Sequence, residues 1–144
     1  MLSSTRKTKI HCEDMTLATL EIITWPAKVL ETRSQEITVF DQELKTFVQN
    51  MHDTMDSGHG IGLAANQVDS LKRVFVCYIP HDDHDDCHDP ECGDGKSWWH
   101  NKRFTFINPV IVKKQKKIKW MEGCLSFPEI YEWVDRAERV TVRA

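Results

Sequence analysis

One stretch, DQELKTFVQNMHDTMDSG from Asp41 to Gly58, constrains this chain more than any other. Leu44, Phe47, Val48, Met51 and Met55 recur at steps of three and four, so winding at the helical period gathers them into one apolar stripe. Asp41 is a good N-cap, because its carboxylate can accept from the unpaired N–H groups of the first turn. Gly58 follows the last periodic residue, where a left-handed C-cap favours glycine. The spacing therefore predicts a helix from Asp41 to Ser57. Its two stripe methionines read as adaptable core filler, and His52, beside Met51, as a surface or boundary residue.

Around this helix the chain reads as strands. LATLEIIT (17–24) suggests a short strand or extended segment ending at Trp25-Pro26, where Pro26 biases Trp25 towards extended backbone. Residues 27–40 look irregular. RVFVCYI (73–79) is a strand by its β-branched and aromatic content, and Pro80 ends it. Residues 81–103 form a polar insertion. FTFINPVIV (104–112) returns to strand character, with Pro109 marking an edge or bulge. KKQKKIKWMEGCLSF carries a further strand into a turn at Gly123, and VTV (140–142) makes a last short one. One solid helix among such strands predicts an α+β fold with mostly antiparallel pairing.

At 144 residues the chain is one domain. No apolar run approaches the ~20 residues needed to span a bilayer, which excludes a membrane partner through a helix of that kind. A net charge of −3 gives no reason to expect specific nucleic acid binding. The charge is unevenly placed: residues 81–95 hold seven acids and no base, and residues 113–119 hold five lysines and no acid. The lysines read as the solvated part of a hairpin. Five cysteines, an odd number, follow a start that lacks a signal peptide's apolar core. That argues for reduced thiols and a cytoplasmic site. Residues 1–16 read as a flexible extension in which Met15 is a second possible start, and 17–144 as the domain proper.

Two short constellations could carry chemistry. In Gly60-Ile61-Gly62-Leu63-Ala64-Ala65-Asn66-Gln67 the glycines allow unusual backbone geometry and close approach of another chain. Gln67 offers an amide donor of the type used to stabilise a developing oxyanion. Read from the residues alone, this is more often a tight loop. In Glu122-Gly123-Cys124-Leu125-Ser126, the cysteine could be a metal thiolate, a nucleophile or a buried structural thiol.

Taken together and in this order, GIGLAANQ and EGCLS resemble the first two signature motifs of the peptide deformylases. The resemblance extends to TWPAKVLETRS, VFDQEL…MHDTM, FINPVI and VDRAERVTV, from about Leu17 to Arg143, interrupted by the insertion. It implies a metal-dependent hydrolase that removes the formyl group from the N-terminal formylmethionine of nascent polypeptides. The family's metal, commonly Fe²⁺ with Zn²⁺ or Ni²⁺ as alternatives, is bound by one Cys and two His. The matching ligand here is Cys124. The matching oxyanion donors are the Gln67 side chain and the Leu125 backbone N–H. Ile61 and Gly62 would pair with the peptide substrate like an added strand. Acting on nascent chains also implies transient proximity to the ribosome.

The pattern breaks at the third motif. HExxH, two histidines on one helical face with a glutamate between them, is absent from all seven histidines: His11, His52, His59, His81, His84, His88 and His100. The expectation is thus an incomplete deformylase-like domain without its C-terminal helix, with three explanations. The chain is a piece of an ordinary deformylase, or an inactive peptide-binding relative, or the insertion supplies substitute ligands. The insertion's His81, His84, Cys87, His88 and Cys92 are dense in ligand types, and a small zinc knuckle there is an open reading beside that of an acidic surface loop.

Overall fold

The computed structural model describes residues 19–79 and 102–144. The expected N-terminal extension at 1–16 and nearly all of the polar insertion, including the proposed zinc knuckle, lie outside the described residues. Two residues assigned to the insertion do not belong to it, because a strand already begins at Lys102.

The helix, α1, runs Gln42–Ser57. Asp41 Oδ1 accepts from Leu44 N at 2.9 Å, a cap worth about 1 kcal/mol. The far end departs from expectation. Gly58 has φ −81°, so it is not left-handed, and the left-handed residue is His59 at φ 54°. Gly60 N donates to Met55 O at 2.9 Å and His59 N to Asp56 O at 3.0 Å. This nested pair is a Schellman ending. One step later, at Gly60, a Cβ would lie 2.8 Å from Leu125 Cδ1, so a larger residue would require that leucine to shift.

Three antiparallel strands stand against α1: β1 Gly62–Ala64, β2 Val74–Ile79 and β3 Lys102–Ile107, in the order β1-β2-β3. Val74 and Val76 alternate inward along β2, as period-two geometry requires. They meet Leu44, Met51 and Met55 from the helix, Leu63 from β1, and Ala65 and Val68 from a 3-10 turn at Ala65–Val68. On the opposite face Phe75 stacks on Phe106, with centroids 4.8 Å apart.

FTFINPVIV is not one strand. Asn108 takes φ 53°, which asparagine tolerates better than most residues. Its side-chain amide exchanges two hydrogen bonds of 2.8 Å with the Ile37 backbone. The chain turns there into β4, Val110–Gln115, which pairs with β7, Arg139–Arg143, in a separate ribbon. β5, Ile118–Cys124, pairs with β6, Phe127–Arg136. Of the lysines at 113–119, Lys113 and Lys114 sit in β4, Lys119 in β5, and Lys116 and Lys117 in the link between the two ribbons, and all are exposed as expected. The turn after β5 falls at Leu125-Ser126, not at Gly123. Gly123 stays in the strand, where a Cβ would lie 2.8 Å from the Tyr131 ring. Residues 19–24 form no strand, but thread between the two motif loops, with Ile23 N donating to Gln67 O at 2.8 Å and Trp25 N to Ser126 O at 3.0 Å.

His52 is also corrected: it is buried, 8% exposed, with Nε2 3.0 Å from Thr105 Oγ1 and Nδ1 without a partner. Burial, and then the nearby Arg103 guanidinium, hold its proton affinity below the ordinary value of 6.5, against the opposing pull of Asp56 and Asp53. The unfolded chain therefore binds this proton more readily. The stability His52 contributes is present above pH 6.5 and is lost as pH falls from there towards the folded-state value. Urea melts at pH 7.5 and 5.5 should show acid destabilisation that is smaller in His52→Gln than in the unsubstituted chain.

Candidate active site

The two motif stretches come together although they lie far apart in sequence. Gln67 Oε1 accepts from Ala64 N at 2.9 Å, which fixes the amide plane and turns its NH₂ towards the EGCLS turn. There Nε2 donates to Ser126 Oγ at 3.2 Å and to Cys124 Sγ at 3.5 Å. Ser126 is 2% exposed, so its hydroxyl has a fixed place. Cys124 is exposed and free. The sulfur is thus neither sunk in hydrocarbon nor turned from the amide, the arrangement a metal thiolate or nucleophile requires. Leu125 lies in the turn, and its N–H has no acceptor among the described residues. Its side chain packs under Gly58 and Gly60, coupling the two loops.

β1 is an edge strand. Tyr78 N donates to Ile61 O at 2.9 Å, and Leu63 stands opposite Val76, so these positions face β2. Alternation along an antiparallel pair then turns the Gly62 N–H and C=O away from β2, towards the open edge. Ala64's outward N–H is already taken by Gln67. Ile61 is 69% exposed. Gly62 needs no bare backbone for the fold's own sake: a Cβ there would make only ordinary contacts, 3.7 Å from Val76 O and 4.0 Å from Cys77 Cβ.

An open groove of about 1140 Å³ runs between this edge and the β5–β6 ribbon. His59, Gly62, Gln67, Cys77, Cys124 and Arg136 are among its lining residues. Arg136 grips Glu122 through Nε at 2.7 Å and Nη2 at 2.6 Å. That hydrogen-bonded pairing holds the Glu122 carboxyl below its ordinary range. Sequence reasoning missed Ser126, Cys77 and this ion pair. Of these, Ser126 could have been found, since a serine two residues from a candidate ligand within a motif is an obvious hydrogen-bond partner.

The residues present do not by themselves make a metal centre. A catalytic divalent ion normally has three protein ligands and a water. Cys124 offers one candidate ligand, and no group of three His, Cys, Asp or Glu side chains converges among the described residues. His52 faces Thr105 and not the groove.

The two described thiols should differ in reactivity. Cys77 is half-buried and burial pushes its thiol up, whereas Cys124 is exposed. Peptide mapping after brief iodoacetamide treatment at pH 7.5 should find Cys124 alkylated well before Cys77. Equal labelling would contradict the geometry.

Comparison with known proteins identifies the family. The family model described as polypeptide deformylase matches residues 19–144. Peptide deformylase 1 of Bacillus subtilis is 40% identical over 128 residues, 89% of this chain and 69% of that protein. The peptide deformylase of Helicobacter hepaticus is 32% identical over 129 residues, 90% of this chain and 65% of that protein. Among solved structures, a peptide deformylase from Ehrlichia chaffeensis superposes with a TM-score of 0.72 at 34% identity, covering 86% of this chain and 66% of that one. One from Thermotoga maritima gives 0.71 at 31% identity, covering 86% and 71%. The chain thus spans about two-thirds of the length of these relatives.

Proposed function

The chain belongs to the polypeptide deformylase family, and from that premise we propose that it serves the metal-dependent hydrolysis of the formyl group from N-terminal formylmethionine of nascent polypeptides. The observation that carries this reading is the Gln67 amide, locked by Ala64 and aimed at the Cys124 sulfur.

The chain's own residues supply three of the functions this reaction needs. The open edge at Gly62 offers one N–H and one C=O to an extended peptide, with Ile61 beside it. Gln67 carries two N–H groups, one tied to Ser126 and one resting on Cys124. A substrate oxygen arriving beside Cys124 takes the second, so the donor is in place before charge develops. The Leu125 N–H supplies the other donor. The family implies a divalent ion, Fe²⁺ being our choice, with Cys124 as one ligand. Its remaining ligands are not provided by the described residues, so no step is assigned to it. Reduced Cys77 and Cys124 suit a cytoplasmic setting, where formylated nascent chains leave the ribosome.

The test is formate release from a formylmethionyl peptide, with metal content measured in parallel. Formate release abolished by Cys124→Ala, and retained in Cys87→Ser/Cys92→Ser, supports the reading. A chain that holds no metal, releases no formate and still binds the peptide would overturn it in favour of a peptide-binding relative.

A further inference from the structure

Exposed positive charge is densest in one part of the fold. Elsewhere Arg73, Arg103 and Arg136 are tied to Glu36, Asp56 and Glu122. The β4–β7 ribbon and its link into β5 carry Lys113, Lys114, Lys116, Lys117, Lys119, Arg139 and Arg143, all exposed. Within residues 110–119 and 138–144 the only acid is Glu138, held by Lys116 at 3.0 Å. Asp135 stands opposite Lys119 on β6. The other five cations form no ion pair among the described residues.

The ladder sorts these charges by face. Lys113 lies opposite Thr141 and Gln115 opposite Arg139, beyond a bulge at Val112. Period-two alternation places Arg143 with Arg139 and Thr141. One face therefore reads Lys113, Gln115, Arg139, Thr141 and Arg143, with Val110 opposite Arg143 at its end and no acid. The other carries Ile111, Lys114, Val140 and Val142, of which Val142 is half-buried. Every residue of the polar face is exposed, and the half-buried Val142 marks the other face as the inner one.

We propose that this outer face binds structured RNA through its sugar–phosphate backbone. Arginine forks suit phosphate oxygens in pairs, and lysines add point charge without geometric demand. Gln115 and Thr141 can exchange hydrogen bonds with ribose 2′-hydroxyls, the groups by which A-form RNA is read across its shallow minor groove. A protein partner would want a buried aromatic or aliphatic anchor at the centre of the contact, and the one apolar side chain on this face, Val110, stands at its end opposite Arg143. The inference is independent of the deformylase reading, since it uses no residue of the groove.

The experiment is fluorescence anisotropy of a labelled RNA hairpin titrated with the full chain at 50 and 200 mM KCl. Binding should weaken steeply with salt, by a slope of about 0.7–0.9 per phosphate contact. Lys113→Glu/Arg139→Glu/Arg143→Glu should weaken binding at least tenfold and reduce the slope. The charge-matched Lys28→Glu/Arg33→Glu/Lys45→Glu, on other exposed positions, should lose less than threefold. Circular dichroism checks both folds, and Lys113→Gln/Arg139→Gln/Arg143→Gln replaces a variant that fails. Equal losses in the two triples would overturn the proposal. So would absent binding at 50 mM KCl, or tighter binding to polyglutamate or anionic phosphatidylglycerol vesicles.

Discussion

Replacing Gln67 with alanine is expected to slow formate release from a formylmethionyl peptide by about 10²–10³-fold, the usual cost of removing one preorganised oxyanion donor. The loss should fall on kcat more than on KM, because the donor meets charge that develops after the substrate is bound. Alanine also leaves the Ala64 N–H and the buried Ser126 hydroxyl without their partner. An unsatisfied buried group costs about 1–3 kcal/mol, so melting must be measured alongside and rates taken well below the midpoint. Gln67→Glu separates the two effects. It keeps the acceptor for Ala64 but removes the N–H facing Cys124 and sets a carboxylate beside the sulfur. Its rate should fall at least as far as that of the alanine variant. A glutamate variant within threefold of the unsubstituted rate would remove Gln67 from the chemistry.

Much of this site was legible in the sequence, and for identifiable reasons. The helix at 42–57 was readable because its signals are local: an N-cap three residues from the N–H it bonds, and a stripe repeating every turn. Gln67 and Cys124 were legible only through two motifs in order, since either alone is a loop or a lone thiol. What was missed is non-local or competes with another rule. The break at Asn108 depends on an amide pairing with Ile37, 71 residues away. β6 was unread because FPEIYEWVDR has a proline at its second position and intersperses acids with aromatics, and its register is set by β5. The left-handed residue falls at His59 rather than Gly58, at the point where the chain meets Leu125, a contact no local pattern contains. His52 was read as a boundary residue because a polar side chain beside a stripe usually is. Its hydrogen bond to Thr105 on β3 is what lets it be buried.

The same contrast between local stripe and distant strand governs stability. Met51 is 0% exposed at the middle of α1, among Leu44, Met55, Leu63 and Val76. Met51→Ala removes most of a buried side chain from a wall that is strand on one side and helix on the other. Neither can close the void without moving the β1 edge. A loss of about 2–5 kcal/mol follows from such truncations, or roughly 3–5 °C of midpoint per kcal/mol for a domain of this size. Met51→Leu, which conserves volume, should cost less than about 1.5 kcal/mol. Met121, 44% exposed on β5, should tolerate alanine within about 0.5 kcal/mol. Urea denaturation of the three variants checks the order. Equal losses at Met51 and Met121 would mean that the described core is not what holds β1 and α1 together. The alkylation rate at Cys124 supplies a second reading on Met51→Ala. Below its midpoint the sulfur should react as before, because Met51 lines no part of the groove.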